Sequence, residues 1–220
     1  MIRTSLGASH RRTLLDAELA RCAGSFRGVV LDVGGRRQPR GRFRPPRGAV
    51  RRWVLLNIDP RAEPDILGDA EALPIREASV DRILCQEVIQ YVDRYETMLA
   101  EFSRVLVPDG QLVLSAPLLH RVDHIADRQR FSGGRLVELL ERAGLRVDQV
   151  TQQGYFFGTL AHMLRQAGAQ VASRPLRALL ALPVLAVGFC LGRLDHRAAT
   201  ARSAFLSSYT TGYVVIARKR

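Results

Sequence analysis

Small and acidic residues follow successive apolar runs in the first third of the chain, where they could form a ligand site. These residues are Asp32, Gly34, Gly35, Asp59, Asp69 and Ala70, in "VVLDVGG", "LLNIDP" and "GDAEALPI". A carboxylate can accept hydrogen bonds from both hydroxyls of a ribose, and glycine lets the backbone approach a ligand closely. Their order along the chain predicts a nucleoside site, with Asp59 placed to bind the ribose.

The segment after the glycine pair lacks the parts of a phosphate site. A dinucleotide turn needs G-x-G-x-x-G at the start of a helix, whose amides and dipole meet the pyrophosphate. Here the pair is followed by "RRQPRGRFRPPRG", and its prolines at 39, 45 and 46 exclude a regular helix. S-adenosylmethionine carries no phosphate and needs no such cradle. The sequence therefore favours S-adenosylmethionine over a dinucleotide as the cofactor.

The elements that must position these residues can be seen in the hydrophobic pattern. Four apolar runs, "GVVLDVGG", "RRWVLLNIDP", "SVDRILCQEVI" and "GQLVLSAPL", predict buried strands. Helical spacing predicts helices over 13–23 and 95–107, the second ended by "PDG", and a helix from the cap Ser132 to the stop at Gly144. The alternation predicts an α/β fold with a doubly wound parallel sheet, and a ligand at the carboxyl ends of its strands.

A wider set of motifs resembles the class I S-adenosylmethionine-dependent methyltransferases, in the branch with the methyltransferase type 11 domain. The motifs are "VVLDVGG", "LLNIDP", "DILGDAEALPIREASVDRILCQEVIQYV", "EFSRVLVPDGQLVLSAP" and "DRQRFSGGRLVELLERAGL", with "TGYVVIARK" similar to the last strand of the family. The resemblance implies an enzyme that uses S-adenosyl-L-methionine. It also implies a Rossmann-like, mostly parallel seven-stranded sheet whose last strand is antiparallel.

The resemblance assigns roles to individual positions in the cofactor site. It implies that Asp32 and Gly34, with Gly35 beside them, shape the methionine pocket and that Asp59 binds the ribose. It further implies that Asp69 and Ala70 receive the adenine, and that Gln86 faces the sulfonium.

Two positions depart from the pattern of this family. Arg36 stands where the family usually has a second glycine of the turn, and Gln90 with Tyr91 stands where a Glu-His pair is frequent. A positive φ at Arg36 would cost about 1–2 kcal/mol, and its charge would oppose a sulfonium. An inactive, methyltransferase-like binding module is therefore the alternative to an active enzyme.

A loop rich in histidine and aspartate follows the fourth apolar run and predicts the acceptor side of the site. Methyl transfer is a direct displacement, so a side chain is needed only to remove a proton from the acceptor. We expect His124 to be that base, with His120 as the second candidate; solvated loop histidines are the alternative. Asp127 and Arg130 are the predicted substrate-binding residues, with a structural role for Arg130 as the alternative. Although His and Asp are also metal ligands, we expect no metal.

The chain is interpreted as one methyltransferase-like domain of 220 residues. We divide it into an N-terminal helix (1–27), a cofactor-binding core (28–154), an apolar helical insertion (155–208), and a last strand with a basic tail (209–220). Within the insertion, 176–192 is strongly apolar but contains Arg177 and Pro183. A core helix, a helix over the active site or on a membrane surface, and a membrane span are the three alternatives.

The net charge and the cysteine content limit which binding partners and which cellular compartment we expect. The net charge of +12 is compatible with nucleic acid, so an RNA methyltransferase is a further alternative, although no nucleic-acid-binding motif is present. Instead, we expect a small-molecule, glycan or lipid-linked acceptor, with peripheral membrane contact through 176–192. Three widely spaced cysteines argue against a disulfide framework, and the first residues lack a signal-peptide pattern. We therefore expect a cytoplasmic protein, peripheral to the membrane if 176–192 contacts it.

Overall fold

A computed structural model describes residues 10–38, 41–46, 48–122 and 124–220. Its seven strands are β1 Gly28–Val33, β2 Val50–Asn57, β3 Ile66–Leu67, β4 Val80–Gln86, β5 Leu106–Pro117, β6 Leu145–Gln152 and β7 Gly212–Lys219. They form one sheet in the order β3-β2-β1-β4-β5-β7-β6. β7 is antiparallel to both of its neighbours, and the other adjacent pairs are parallel. The predicted fold class is therefore confirmed.

Six α-helices accompany the sheet in the described part of the chain. They are α1 His10–Cys22, α2 Tyr95–Val105, α3 Gly133–Arg142, α4 Phe156–Ala169, α5 Arg174–Asp195 and α6 Ala198–Arg202. α2 and α3 bury their apolar residues in the larger core cluster, on one face of the sheet. Leu15 and Leu19 of α1 pack with Val30, Leu84 and Val113 on the opposite face. Helices thus cover both faces, as a buried parallel sheet requires.

Most of the predicted helix boundaries agree with the structure to within a few residues. Ser132 caps α3, because its hydroxyl accepts a hydrogen bond from the amide of Arg135. Gly144 follows α3 with a φ of +81°, the left-handed conformation that ends a helix. The "PDG" segment differs from the prediction: β5 already begins at Leu106, and "PDG" forms an irregularity in its pairing with β4.

The connection between β1 and β2 contains no helix in its described residues, as its prolines predicted. Instead, the aromatic ring of Phe43 packs near the rings of Phe26 and Trp53, with centroids 6.2 and 6.3 Å away. This aromatic cluster extends the core formed with α1. Residues 1–9, Pro39, Arg40, Arg47 and Asp123 lie outside the described residues. They include the start of the predicted N-terminal segment, one proline of the connection after β1, and one aspartate of the loop rich in histidine and aspartate.

The apolar insertion forms the helix pair α4 and α5 before β7. α5 is 22 residues long and apolar enough to cross a membrane by length and composition. Only 6% of its most apolar stretch is buried inside the structure. A core helix would be buried on most sides, so that interpretation of 176–192 is wrong. Exposed apolar side chains on such a helix need another explanation.

Candidate active site

One large cleft lies at the carboxyl ends of β1, β2 and β4, with a volume of about 1180 Å³. β1 lies between β2 and β4, so the order of the strands reverses its direction at β1. Open α/β sheets bind their ligands at such a switch point. The structure brings all the predicted cofactor residues to the lining of this cleft. They are Asp32, Gly34, Gly35, Asp59, Asp69, Ala70 and Gln86.

The glycine turn after β1 requires both of its glycines. Gly34 has a φ of +74°, and an added Cβ would lie 2.3 Å from Cγ2 of Val88. A Cβ on Gly35 would lie 2.7 Å from Cγ of Asp32 and 2.9 Å from Cδ2 of Leu55. Larger side chains would therefore disturb the backbone and the carboxylate at the floor of the cleft.

Asp32 is a carboxylate with a strongly perturbed pKa at the end of β1. Desolvation by burial raises its pKa to about 7, although a hydrogen bond from Trp53 and the charge of Arg12 act in the opposite direction. The side chain is surrounded by protein but keeps some contact with the solvent of the cleft. Its charge therefore changes close to neutral pH.

Asp59 lies after β2 and has a structural contact as well as access to the cleft. Its Oδ1 accepts hydrogen bonds of 3.0 Å from the backbone amide and from Nε of Arg61, so it caps a short 3₁₀ helix. These bonds from Arg61, with a smaller effect of Arg36, lower the pKa of Asp59. Its Oδ2 has no partner among the described residues and remains available to a ligand diol. Asn57, also in the lining, orients this turn by accepting a bond from the amide of Asp59.

Two glutamine carbonyls in the cleft lining lack hydrogen-bond partners. Oε1 of Gln86 and Oε1 of Gln90 are both buried and unpaired. An unpaired buried acceptor costs about 1–3 kcal/mol, so these atoms are suited to bind a donor group on a ligand. Asp69 and Ala70 line the same cleft, and Oδ1 of Asp69 holds its own turn by accepting from the amide of Glu71.

Glu87 follows Gln86 directly and also lines the cleft, although the sequence pattern did not predict it. Its φ is +56°, a conformation that costs a non-glycine residue about 1–2 kcal/mol. Glu87 forms an ion pair with Arg11 of α1 and accepts a 2.8 Å bond from the hydroxyl of Ser115. A strained backbone held by such contacts is typical of ligand sites. The one signal for Glu87 in the sequence is its position directly after Gln86, at the end of a predicted strand.

The predicted histidines line the same cleft from the segment that follows β5. His120 contacts His162 of α4, with 3.2 Å between Nδ1 and Nε2 and stacked rings. Nδ1 of His124 accepts from the amide of Ala126, while its Nε2 has no partner among the described residues. His124 is exposed and His162 is buried. His120 and His124 therefore line the cleft as a base would, and His162 connects the insertion to it.

Arg130 and Asp127 are not among the lining residues of the cleft. They form an ion pair with each other, including a 2.8 Å bond from Nη2 of Arg130 to Oδ2 of Asp127, whose side chain is almost fully buried. This contact favours the structural alternative for Arg130. A substrate-binding role for the two residues stays a prediction without support from the geometry.

The departure from the family pattern at Arg36 does not strain the backbone of the glycine turn. Arg36 is not among the residues with positive φ, so the expected strain is absent there. Its side chain nevertheless lines the cleft close to Asp59. Across residues 10–38, 41–46, 48–122 and 124–220, no group of three or more metal-ligating side chains is assembled.

The fold and the position of the cleft agree with those of the Rossmann-like S-adenosylmethionine-dependent methyltransferases that the sequence motifs resemble. Residues 55–114 match the family model described as "Methyltransferase domain". These residues include β4 and the positions of Asp59, Asp69, Ala70 and Gln86. The resemblance inferred from the sequence motifs is thereby confirmed.

Curated relatives match parts of the chain. The biotin biosynthesis bifunctional protein BioHC of Cellvibrio japonicus is 34% identical over 113 residues, covering 50% of this chain and 20% of that protein. The malonyl-[acyl-carrier protein] O-methyltransferase of Hahella chejuensis is 32% identical over 105 residues, covering 43% of this chain and 38% of that protein. The chain thus matches less than half the length of these relatives.

Solved structures share the fold over nearly the whole chain. A SAM-dependent methyltransferase from Archaeoglobus fulgidus superposes with a TM-score of 0.56 at 15% identity, covering 94% of both chains. The [4+2]-cyclase SpnF has the same TM-score at 17% identity, covering 93% of this chain and 80% of its own. The 1,6-didemethyltoxoflavin-N1-methyltransferase of Burkholderia thailandensis, solved with S-adenosylhomocysteine, gives 0.52 at 18% identity, covering 96% and 78%. Because a cyclase shares this fold, the fold alone does not define the reaction.

Proposed function

We propose that this protein binds S-adenosylmethionine in the cleft and transfers its methyl group to a small-molecule acceptor. The observation that carries the proposal is the meeting of the glycine turn with Asp32, Asp59 and Asp69 in one cleft at the carboxyl ends of the strands. These groups suit a nucleoside that has ribose hydroxyls and a cationic amino-acid part but no phosphate.

The lining residues fit the cofactor part by part. When bound, S-adenosylmethionine supplies a methyl carbon activated by positive sulfur. Gly34 and Gly35 leave room beside Asp32 for the methionine part, and an ionised Asp32 would attract its positive charge. Oδ2 of Asp59 is available for the ribose diol. The unpaired carbonyl of Gln86 is a further acceptor at the cleft.

The size of the cleft supports a reaction between two bound molecules. Small-molecule sites commonly have volumes of about 300–1,000 Å³, and this cleft reaches about 1180 Å³. A displacement needs both reactants held in line, with water excluded. We therefore infer that the acceptor binds beside the cofactor, at the end of the cleft lined by His120, His124 and Gln166.

The acceptor end offers both a base and a cation. Nε2 of His124 could take a proton from an acceptor hydroxyl or amine, and His120 is the second candidate. Arg121 also lines this end of the cleft and could bind an anionic group. The relatives named for malonyl-[acyl-carrier protein] act on a carboxylate-bearing molecule, which makes a small acid the first acceptor to try. Glycan and lipid-linked acceptors remain further proposals.

The direct experiment supplies S-adenosylmethionine labelled in its methyl group together with malonyl-CoA, then with small alcohols, amines and sugars as probes. We expect the label to appear on at least one class of probe, and His124→Gln to lower the rate about 10²–10⁴-fold without weakening binding of S-adenosylhomocysteine. A protein that binds the cofactor but transfers no label to any class of probe would support the inactive-module alternative.

A further inference from the structure

α5 exposes large apolar side chains on one face, from Leu176 to Phe189. The exposed apolar side chains of this face, which we call the α5 face, are Leu176, Leu179, Leu182, Val187 and Phe189. Leu179 and Leu182 are 73% and 77% exposed. At 100° per residue, these positions share one half of the helix, while Val184 and Gly188 on the other half approach α4. An exposed apolar face of this length indicates a binding surface.

The charge around the α5 face has one sign. Residues 155–208 contain six arginines and one aspartate, and no lysine or glutamate, so their formal net charge is +5. The aspartate, Asp195, is buried and accepts a 2.8 Å hydrogen bond from the amide of Tyr155. Arg174 and Arg177 lie at the start of α5, and Arg193 lies near its end, over the ring of Phe189 at 5.2 Å. Apolar residues flanked by cations complement the surface of an anionic bilayer.

α5 packs along α4 and extends past its end. α5 packs antiparallel to α4: a Cβ on Gly158 would lie 2.6 Å from Oδ2 of Asp195, and one on Gly168 would lie 3.5 Å from Cγ2 of Val184. Ten residues of α5 precede Val184, whereas α4 ends one residue after Gly168. The first turns of α5 therefore extend past the end of α4.

α4 is tied to the active site and could not enter a bilayer with α5. Its buried His162 contacts His120, and its Gln166 lines the cleft. A spanning α5 would bring the polar groups of α4 into hydrocarbon, at high cost. An interfacial α5 buries only its exposed face and leaves α4 against the domain.

We propose that the α5 face docks on the surface of a membrane that contains anionic lipids, with its leucines in the interface and its arginines among the headgroups. Docking places the acceptor end of the cleft, through α4, next to the membrane surface. This interaction is independent of the proposed methyl transfer, because it uses none of the residues assigned to the cofactor.

The test is flotation of the full chain with vesicles of phosphatidylcholine alone and of phosphatidylcholine with phosphatidylglycerol at 3:1. We expect the protein to float with the anionic vesicles, and less so as salt rises. Leu179→Glu should lower the partition coefficient about 10-fold or more. Arg174→Gln combined with Arg177→Gln should lower it about 25-fold, since each arginine near an anionic surface contributes about 5-fold.

Leu67→Glu is the matched control, because Leu67 is also an exposed leucine but lies on β3, away from α5. It should float like the unchanged protein, and thermal melting should show that both leucine variants are folded. A fluorophore on Cys190, the exposed cysteine of α5, should report an apolar environment only with anionic vesicles.

Three outcomes would overturn this proposal. They are flotation that is absent at low salt, flotation that is equal for Leu179→Glu and Leu67→Glu, and a protein that resists extraction by alkaline carbonate, which would indicate a spanning helix. A dimer in solution that Leu179→Glu converts to a monomer, without vesicle binding, would instead assign the face to a second copy of the chain.

Discussion

Nε1 of Trp53 on β2 donates a 3.2 Å hydrogen bond to Oδ2 of Asp32 on the neighbouring strand β1. This bond stabilises the carboxylate, whereas burial favours the neutral acid and raises the pKa of Asp32 to about 7. The two effects leave a carboxyl group that changes its charge near neutral pH at the floor of the cleft. Perturbed groups of this kind cluster at functional sites.

Binding of S-adenosylmethionine should tighten as the pH rises through about 7, because only ionised Asp32 attracts the cationic part of the cofactor. Asp32→Asn should bind more weakly at pH 8 and lose most of this pH dependence. Trp53→Phe removes the hydrogen bond that lowers the pKa, so it should shift the inflection to higher pH. Calorimetric titrations from pH 6 to 8.5 measure all three. An inflection that persists in Asp32→Asn would belong to a histidine instead.

Asp32 should also make the folded protein less stable as the pH rises from about 4 to about 7. In this window the folded chain retains the proton, because its pKa is about 7, whereas the unfolded chain, with a pKa near 3.8, releases it. The loss is complete above about pH 7 and is on the order of 2–4 kcal/mol, with solvent in the cleft reducing it. Asp32→Asn should therefore unfold at higher urea concentration than the unchanged protein at pH 8, with a smaller difference at pH 4.

Gly34→Ala should destabilise the fold by about 1–3 kcal/mol and weaken cofactor binding. The added methyl group would collide with Val88, and the alanine would have to adopt a φ of +74°. Gly134→Ala is the control, since a Cβ at that position of α3 meets nothing within 4 Å, and it should be neutral or stabilising. Denaturation midpoints compare the two; equal midpoints would mean that the turn relaxes without cost.

Asp59→Asn should raise the dissociation constant of S-adenosylhomocysteine about 10-fold, because an amide replaces one of the oxygens available to the ribose. Arg61→Ala is informative beside it, since it removes the side chain that Asp59 bonds but leaves the carboxylate. That variant should bind as well as the unchanged protein or better. If only Arg61→Ala weakened binding, Asp59 would be a turn former and not a ligand.

The sequence predicted the cofactor side of the cleft because that side depends on strand ends. Parallel strands bring their carboxyl ends to one edge, so Asp32, Asp59 and Gln86 could be placed together from three apolar runs. Glu87 was missed because its partner Arg11 lies 76 residues away in the sequence, on a helix. The positive φ of Glu87 cannot be predicted from its residue type either. His162 was missed because no periodicity shows which loop a helix will contact.

The insertion shows a different limit of the sequence pattern. Hydropathy identified 176–192 as a helix but could not show whether other elements cover it, and the structure shows that α4 covers only one side. Likewise, Asp127 and Arg130 are close in sequence and suit a ligand or each other equally well. Only the buried ion pair between them distinguishes the two.

The most direct test of the central proposal is a calorimetric titration of the full chain with S-adenosylhomocysteine at pH 8. We predict one site per chain, with a dissociation constant between about 1 µM and 1 mM, the usual range for enzyme substrates. Two results would contradict the proposal that the cleft binds a nucleoside without phosphate. They are the absence of binding at millimolar concentration, and equally strong binding of a phosphate-containing dinucleotide under the same conditions.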